Sequence, residues 1–112
     1  QVDVGQAVVV QQGIVLGVEA IEGTDALLAR CSRLHREGVG GVLLKLKKVY
    51  QDSRVDLPTV GPDTVVKATQ AGMRGIAIEA GASLVVERPR MIRDADLAGL
   101  FVMGVEVQRC RK

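Results

Sequence analysis

The sequence predicts an α/β domain: a mixed β-sheet with about three helices packed on it, in one unit. Three observations carry this. Valine-rich runs alternate with segments of helical spacing, in the order ββ-α-β-(β)-α-ββ-α-β, and that alternation with hairpins favours a mixed sheet over a purely doubly wound one. At 112 residues, 47% of them apolar, the chain is long enough for a single hydrophobic core and too short for two. Phe101 and Tyr50 are its only aromatics, so the core must be Val, Leu, Ile and Ala, a composition that suits buried strands.

Ala7–Gln11 and Ile14–Ala20 are β-branched runs separated by Gln12-Gly13, the pattern of an antiparallel hairpin with a tight turn. Thr24 reads as a helix N-cap, with Asp25 in a first turn that favours negative charge. Leu27, Leu28, Cys31 and Leu34 then fall at helical spacing, with Arg30, Arg33 and Arg36 on the other face, and the helix should stop near Gly38. Val42–Leu46 is a third strand that leads into Lys47 and Lys48. Arg54–Leu57 is a short extended piece, because a residue before proline avoids the helical region. Gly61-Pro62 opens a helix with proline at its first position, running to about Ala71 before Gly72. Ile76–Glu79 and Leu84–Glu87 read as strands joined by a short turn. Pro89 starts a last helix to Ala98, Gly99 ends it, and Leu100–Val105 is the final strand. No internal repeat or low-complexity tract interrupts this order.

Composition excludes several functions. The net charge is +2 with basic residues spread over the chain, and two aromatics cannot build a base-stacking platform, so nucleic acid is not an expected partner. Cys31 and Cys110 are far apart with a single histidine, His35, which argues against a zinc site and for two reduced cysteines in a cytosolic protein. No apolar run reaches transmembrane length and no signal peptide is present. The abrupt start at Gln1, close to a strand, reads as a piece of a longer protein.

The glycines do not form a phosphate loop: there is no GxxxxGK[ST], and Gly38-Val39-Gly40-Gly41 precedes a strand where a dinucleotide fingerprint would follow one. His35 reads as a solvated residue on the polar side of a helix. Glu19 and Glu22, near a helix start, and Glu79, after Ile76-Ala77-Ile78, read first as ordinary charges at strand ends. The segment Gln51–Thr64 is different, holding three carboxylates, one guanidinium, two prolines and a glycine. Asp52 and Asp56 are four apart, so on an extended chain both carboxylates face one way. Such oxygens suit Mg²⁺ or Mn²⁺, which complete their shells with phosphate and water. Lys45, Lys48 and Arg54 would supply the cationic side of a phosphate site.

Several strings then resemble the UDP-2,3-diacylglucosamine pyrophosphatase family of lipid A biosynthesis, in its C-terminal domain. They are Gly5–Val10 (GQAVVV), Val18–Ala26 (VEAIEGTDA), Gln51-Asp52, Arg54–Val65 (RVDLPTVGPDTV), Ala71-Gly72, Gly75–Gly81 (GIAIEAG) and Gly99–Val105 (GLFVMGV). The likeness runs almost from end to end in one order. It departs at Val49, where the family usually has proline, a difference that bears on the shape of the Lys45–Gln51 loop.

The resemblance implies the C-terminal catalytic domain, residues 1–112, of a two-domain protein whose N-terminal domain is absent here. The implied activity is Mg²⁺-dependent hydrolysis of UDP-2,3-diacylglucosamine to UMP and 2,3-diacylglucosamine 1-phosphate (lipid X), with substrate lying between the two domains. The family's essential aspartate falls on Asp56. Lys45, Lys48, Gln51, Arg54, Thr59 and Gly61 become candidates for substrate binding, and Asp56, Asp52, Glu19, Glu22, Asp25 and Glu79 candidates for Mg²⁺ (or Mn²⁺). The implied location is the cytoplasm, peripheral to the inner membrane through the lipid substrate, with a homo-oligomer also open. The isolated domain is expected to turn over little, since half of the cleft is elsewhere. The alternative expectation is a non-catalytic module that binds a nucleotide sugar or oligomerises.

Overall fold

The Val-rich opening run forms β1 (Gln6–Gln11), and β2 (Ile14–Val18) returns antiparallel to it after a turn in which Gln12 takes a left-handed φ of 54°. The computed structural model describes residues 6–12, 14–18, 24–32 and 40–107 of the chain. After α1 (Thr24–Ser32), β3 (Val42–Leu46) lies on the other side of β1, also antiparallel, with Ala7 opposite Lys45 and Val9 opposite Leu43. Two short strands, β4 (Lys48–Val49) and β5 (Val55–Asp56), form a separate antiparallel pair. Then come β6 (Thr59–Val60), α2 (Pro62–Gln70), β7 (Gly75–Glu79), β8 (Leu84–Val85), α3 (Arg88–Ala98) and β9 (Phe101–Val105). The main sheet has the order β2-β1-β3-β7-β9, and β3, β7 and β9 are parallel.

Strand alternation divides this sheet into two faces. On one, Ala7, Val9, Leu43 and Ile76 are wholly buried, and the helices cover them with Leu27, Leu28, Cys31, Val65, Ala68, Met91 and Ala95. Here α1 packs on β1 and β2, α2 on β7 and α3 on β9, with α2 touching both other helices. Each large aliphatic side chain so buried contributes about 1.5–3 kcal/mol. On the other face Val8, Val10, Val42, Leu44 and Leu46 are only partly buried, and Phe101 and Met103 are exposed.

The α/β class, the mixed sheet and the three helices are as the sequence predicts. Pro62 begins α2 as expected, and Gly72 and Gly99 follow α2 and α3 with left-handed φ angles of 77° and 74°. The helix expected to reach Gly38 is seen from Thr24 to Ser32, and residues 33–39, with His35, lie outside the described ones. Two features differ from expectation. Leu84–Val85 does not return along β7: it pairs in parallel with Thr59–Val60, because both edges of β7 already bond to β3 and β9. And residues 48–56 form a hairpin, where the sequence showed only an extended piece from Arg54.

Candidate functional site

The parallel strands β3, β7 and β9 all end at one edge of the sheet, the edge at which α/β folds place their ligands. Lys45 and Glu79 stand there on opposite faces. Lys45 is in register with Ala7 and Ile78, on the helix-covered side, and is 1% exposed. Glu79 follows Ile78 and therefore points to the other side. It is 5% exposed, so the solvated strand-end charge expected from the sequence is replaced by a buried carboxylate. Burial of that charge requires partners. Its Oε1 accepts the backbone N–H of Lys47 at 3.1 Å, and its Oε2 lies 3.8 Å from the Lys47 Nζ.

Immediately beyond Lys47 the chain enters the β4–β5 hairpin, in which Lys48 faces Asp56 and Val49 faces Val55. Val49 thus occupies a paired strand position. Of the five residues that connect the strands, Tyr50 and Arg54 are hydrogen-bonded to each other and leave a three-residue turn at 51–53. Ser53 N–H donates to the Tyr50 carbonyl at 3.0 Å, Tyr50 N–H donates to the Arg54 carbonyl at 2.8 Å, and Ser53 takes a left-handed φ of 70°. Asp52 Oδ1 accepts the Arg54 N–H at 3.1 Å, so this carboxylate supports its own turn. The extended geometry that was to bring Asp52 and Asp56 to one side is therefore replaced by a turn at 51–53, which breaks the alternation.

The hairpin has a polar and an apolar side. On the polar side the Tyr50 hydroxyl donates to Asp56 Oδ2 at 2.8 Å. The Arg54 guanidinium lies 3.8 Å from the centroid of the Tyr50 ring, and the Lys48 Nζ lies 5.3 Å from it. Stacking of this kind contributes about 0.5–1 kcal/mol at exposed sites, enough to offset part of the rotamer entropy of ordering an arginine. Val49 and Val55 occupy the other side, 52% and 44% exposed. One carboxylate oxygen of Asp56 is thus tethered. The other, Oδ1, has no hydrogen bond among the described residues, and two cations stand beside the same ring. That arrangement is complementary to a phosphate group.

The other candidates are more dispersed. Gln51 is exposed at the loop tip, and Thr59 is half-buried in β6. Gly61 is the N-cap of α2, and its N–H donates to Thr64 Oγ1 at 3.1 Å. Glu19 and Glu22 lie outside the described residues, as does the side chain of Asp25. Among the described residues, no three His, Cys, Asp or Glu side chains come together as a metal cage. Tyr50 is the residue that sequence reasoning missed. Its signal was present: one of two aromatics, lying between Lys48 and Arg54.

A family model described as the LpxI C-terminal domain matches residues 1–103. The protein named UDP-2,3-diacylglucosamine pyrophosphatase LpxI from Caulobacter vibrioides is 49% identical over 114 residues, which takes in 96% of this chain and 41% of that protein. The chain therefore spans about two fifths of the length of this curated relative. Among solved structures, the apo dCMP deaminase of cyanophage S-TIM5 superposes with a TM-score of 0.52 over 89% of this chain and 79% of its own. At 13% identity that likeness is one of fold alone.

Proposed function

Because the chain belongs to the LpxI C-terminal domain family, we propose that it is the catalytic domain of a hydrolase that cleaves UDP-2,3-diacylglucosamine into UMP and 2,3-diacylglucosamine 1-phosphate. The observation that carries this reading is Asp56. It lies in the RVDLPTVGPDT string, with one carboxylate oxygen held by Tyr50 and with Lys48 and Arg54 alongside.

The reaction forms a P–O bond to water and breaks one P–O bond of the bridging oxygen, with the water proton passing to a base or to solvent. It needs its phosphate charges neutralised and its water positioned. Lys48 and Arg54 serve the first need, and the open Oδ1 of Asp56 serves either the water or a cation. Mg²⁺ fits this donor set in one respect: it commonly takes one or two carboxylates and fills its shell with substrate phosphate and water. Asp56 would hold it, with Glu19, Glu22 and Asp25 as further candidates, and the ion would supply Lewis-acid charge neutralisation. Mn²⁺ would serve in the same way. Asp52 and Glu79 already support the turn and Lys47.

The exposed pair Val49 and Val55 offers the apolar contact that an acylated sugar requires. A further domain of the full-length protein would close the cleft, so this domain alone should turn over little. In this reading the protein works in the cytoplasm and meets the membrane through its lipid substrate. No described helix is long and apolar enough to cross a membrane.

UMP release from UDP-2,3-diacylglucosamine by the full-length protein with Mg²⁺ is the test. Asp56→Ala should lower the rate by at least about 100-fold, and an unchanged rate would remove Asp56 from the chemistry. A second reading, a nucleotide-sugar-binding or oligomerisation module, draws on the incompletely buried sheet face that carries Val8, Val10, Phe101 and Met103. Ligand binding that depends on Asp56 favours the hydrolase. A mass that doubles without ligand, with no such binding, favours the module.

A further inference from the structure

We propose that Tyr50 is a positioning residue for this hydrolysis, setting the Asp56 carboxylate with its hydroxyl and the Arg54 guanidinium with its ring. The inference rests on the hydrolase reading above and adds to it a residue that couples charge recognition to the reacting carboxylate. The two contacts come from different parts of one side chain. The hydroxyl donates to Asp56 Oδ2 at 2.8 Å, and the ring face lies 3.8 Å from the Arg54 guanidinium carbon.

A carboxylate on a two-residue strand would otherwise rotate about its side-chain torsions. With Oδ2 held, Oδ1 points in one direction, and the cost of orienting it is met before substrate arrives. The same ring restrains a guanidinium that an exposed hairpin would otherwise leave free, so its planar donors are presented at a defined distance from Asp56. Cross-strand register explains how one residue reaches both. Tyr50 closes the loop by donating its N–H to the Arg54 carbonyl, and it stands two residues from Lys48, which is the partner of Asp56. A mere packing role fits poorly, because Tyr50 is only half-buried and its neighbours Gln51 to Val55 are exposed.

The two contacts separate by mutation. In the full-length protein, Tyr50→Phe keeps the ring and loses the hydroxyl. It should lower kcat about tenfold, with KM within about twofold and an unchanged melting temperature. Tyr50→Leu loses both contacts and should in addition raise KM about tenfold. Wild-type kcat in Tyr50→Phe would overturn the proposal, as would equal kinetic constants in the two variants accompanied by equal losses of melting temperature. Active wild type, inactive Asp56→Ala and fully active Tyr50→Phe together would sink this inference and leave the hydrolase reading intact. Absence of UMP release by the wild-type protein would overturn both.

Discussion

The carboxylate of Glu79, at the end of β7, accepts the backbone N–H of Lys47, a residue 32 positions earlier in the chain. That bond joins a central parallel strand to the residue from which the β4–β5 hairpin departs, and so holds the base on which Asp56 is carried. Glu79→Ala leaves a part-buried N–H without its acceptor, and should cost about 2 kcal/mol. In a domain of this size that is a fall in Tm of roughly 10 °C. Glu79→Gln keeps an acceptor oxygen and should cost less than about 1 kcal/mol. Thermal melts of the two variants decide it: equal losses would show that the charge, and not this hydrogen bond, matters.

Arg54 differs from Lys48 in being planar and stacked on Tyr50. Lysine at position 54 keeps the charge but loses the fork that meets two phosphate oxygens at once. Arg54→Lys should therefore raise KM about tenfold while leaving kcat within about twofold. Steady-state kinetics of the full-length protein check this, and an unchanged KM would exclude Arg54 from phosphate binding.

Val55 tests whether the apolar side of the same hairpin meets the acyl chains. Val55→Ser removes two methyl groups at an exposed position, so stability should change by no more than about 0.5 kcal/mol. KM for the diacylated substrate should rise several-fold, since about 0.8 kcal/mol attends each buried methylene. Equal KM values for variant and wild type would place the acyl contacts elsewhere.

Long elements were legible in the sequence because their period is set by the chain itself. Val42–Leu46 is an apolar run broken only by Lys45, Pro62 can open a helix, and Gly99 can take the left-handed angle that stops one. Two-residue strands have no period. Nothing local states that Val49 will face Val55, or that Val85 will lie beside Val60. Those pairings depend on which strand edges remain open once the five-stranded sheet has formed. The same limit applies to the site. Alternation places Lys45 with Leu43 on the buried face, but the burial of Glu79 depends on the backbone N–H and ammonium that Lys47 brings to it from just beyond the neighbouring strand. The Asp56 motif was readable as a string. Its contact with Tyr50 depends on the left-handed turn at Ser53, a conformation that favours glycine, asparagine and aspartate over serine.

That turn gives the next prediction. Ser53 holds a φ of 70°, which costs a residue with a Cβ about 1 kcal/mol. Its side chain is exposed, so Ser53→Gly loses little packing and should raise stability by about 0.5–1 kcal/mol. Ser53→Val should lower it by about 1–2 kcal/mol, because a β-branched side chain is least tolerant of this region. Chemical denaturation midpoints measure both, and a stabilising valine would show that the turn is not held as described.

Gly75 and Phe101 are register partners on β7 and β9, and the Phe101 ring lies across the glycine. A Cβ at position 75 would collide with three atoms of that ring. Phe101 is 37% exposed and sits on an edge strand, so its side chain can swing away, but only by giving up its contact with the sheet. Gly75→Ala should therefore cost about 1–3 kcal/mol, the usual range for overpacking. If the ring is the cause, Phe101→Ala removes the obstacle, and adding Gly75→Ala to it should cost less than Gly75→Ala alone in the native chain. The two changes should couple by at least about 0.5 kcal/mol, as residues in contact do. Denaturant midpoints of the two single variants and the double variant close that cycle. Strict additivity would show that Gly75 is required for a reason other than the ring of Phe101.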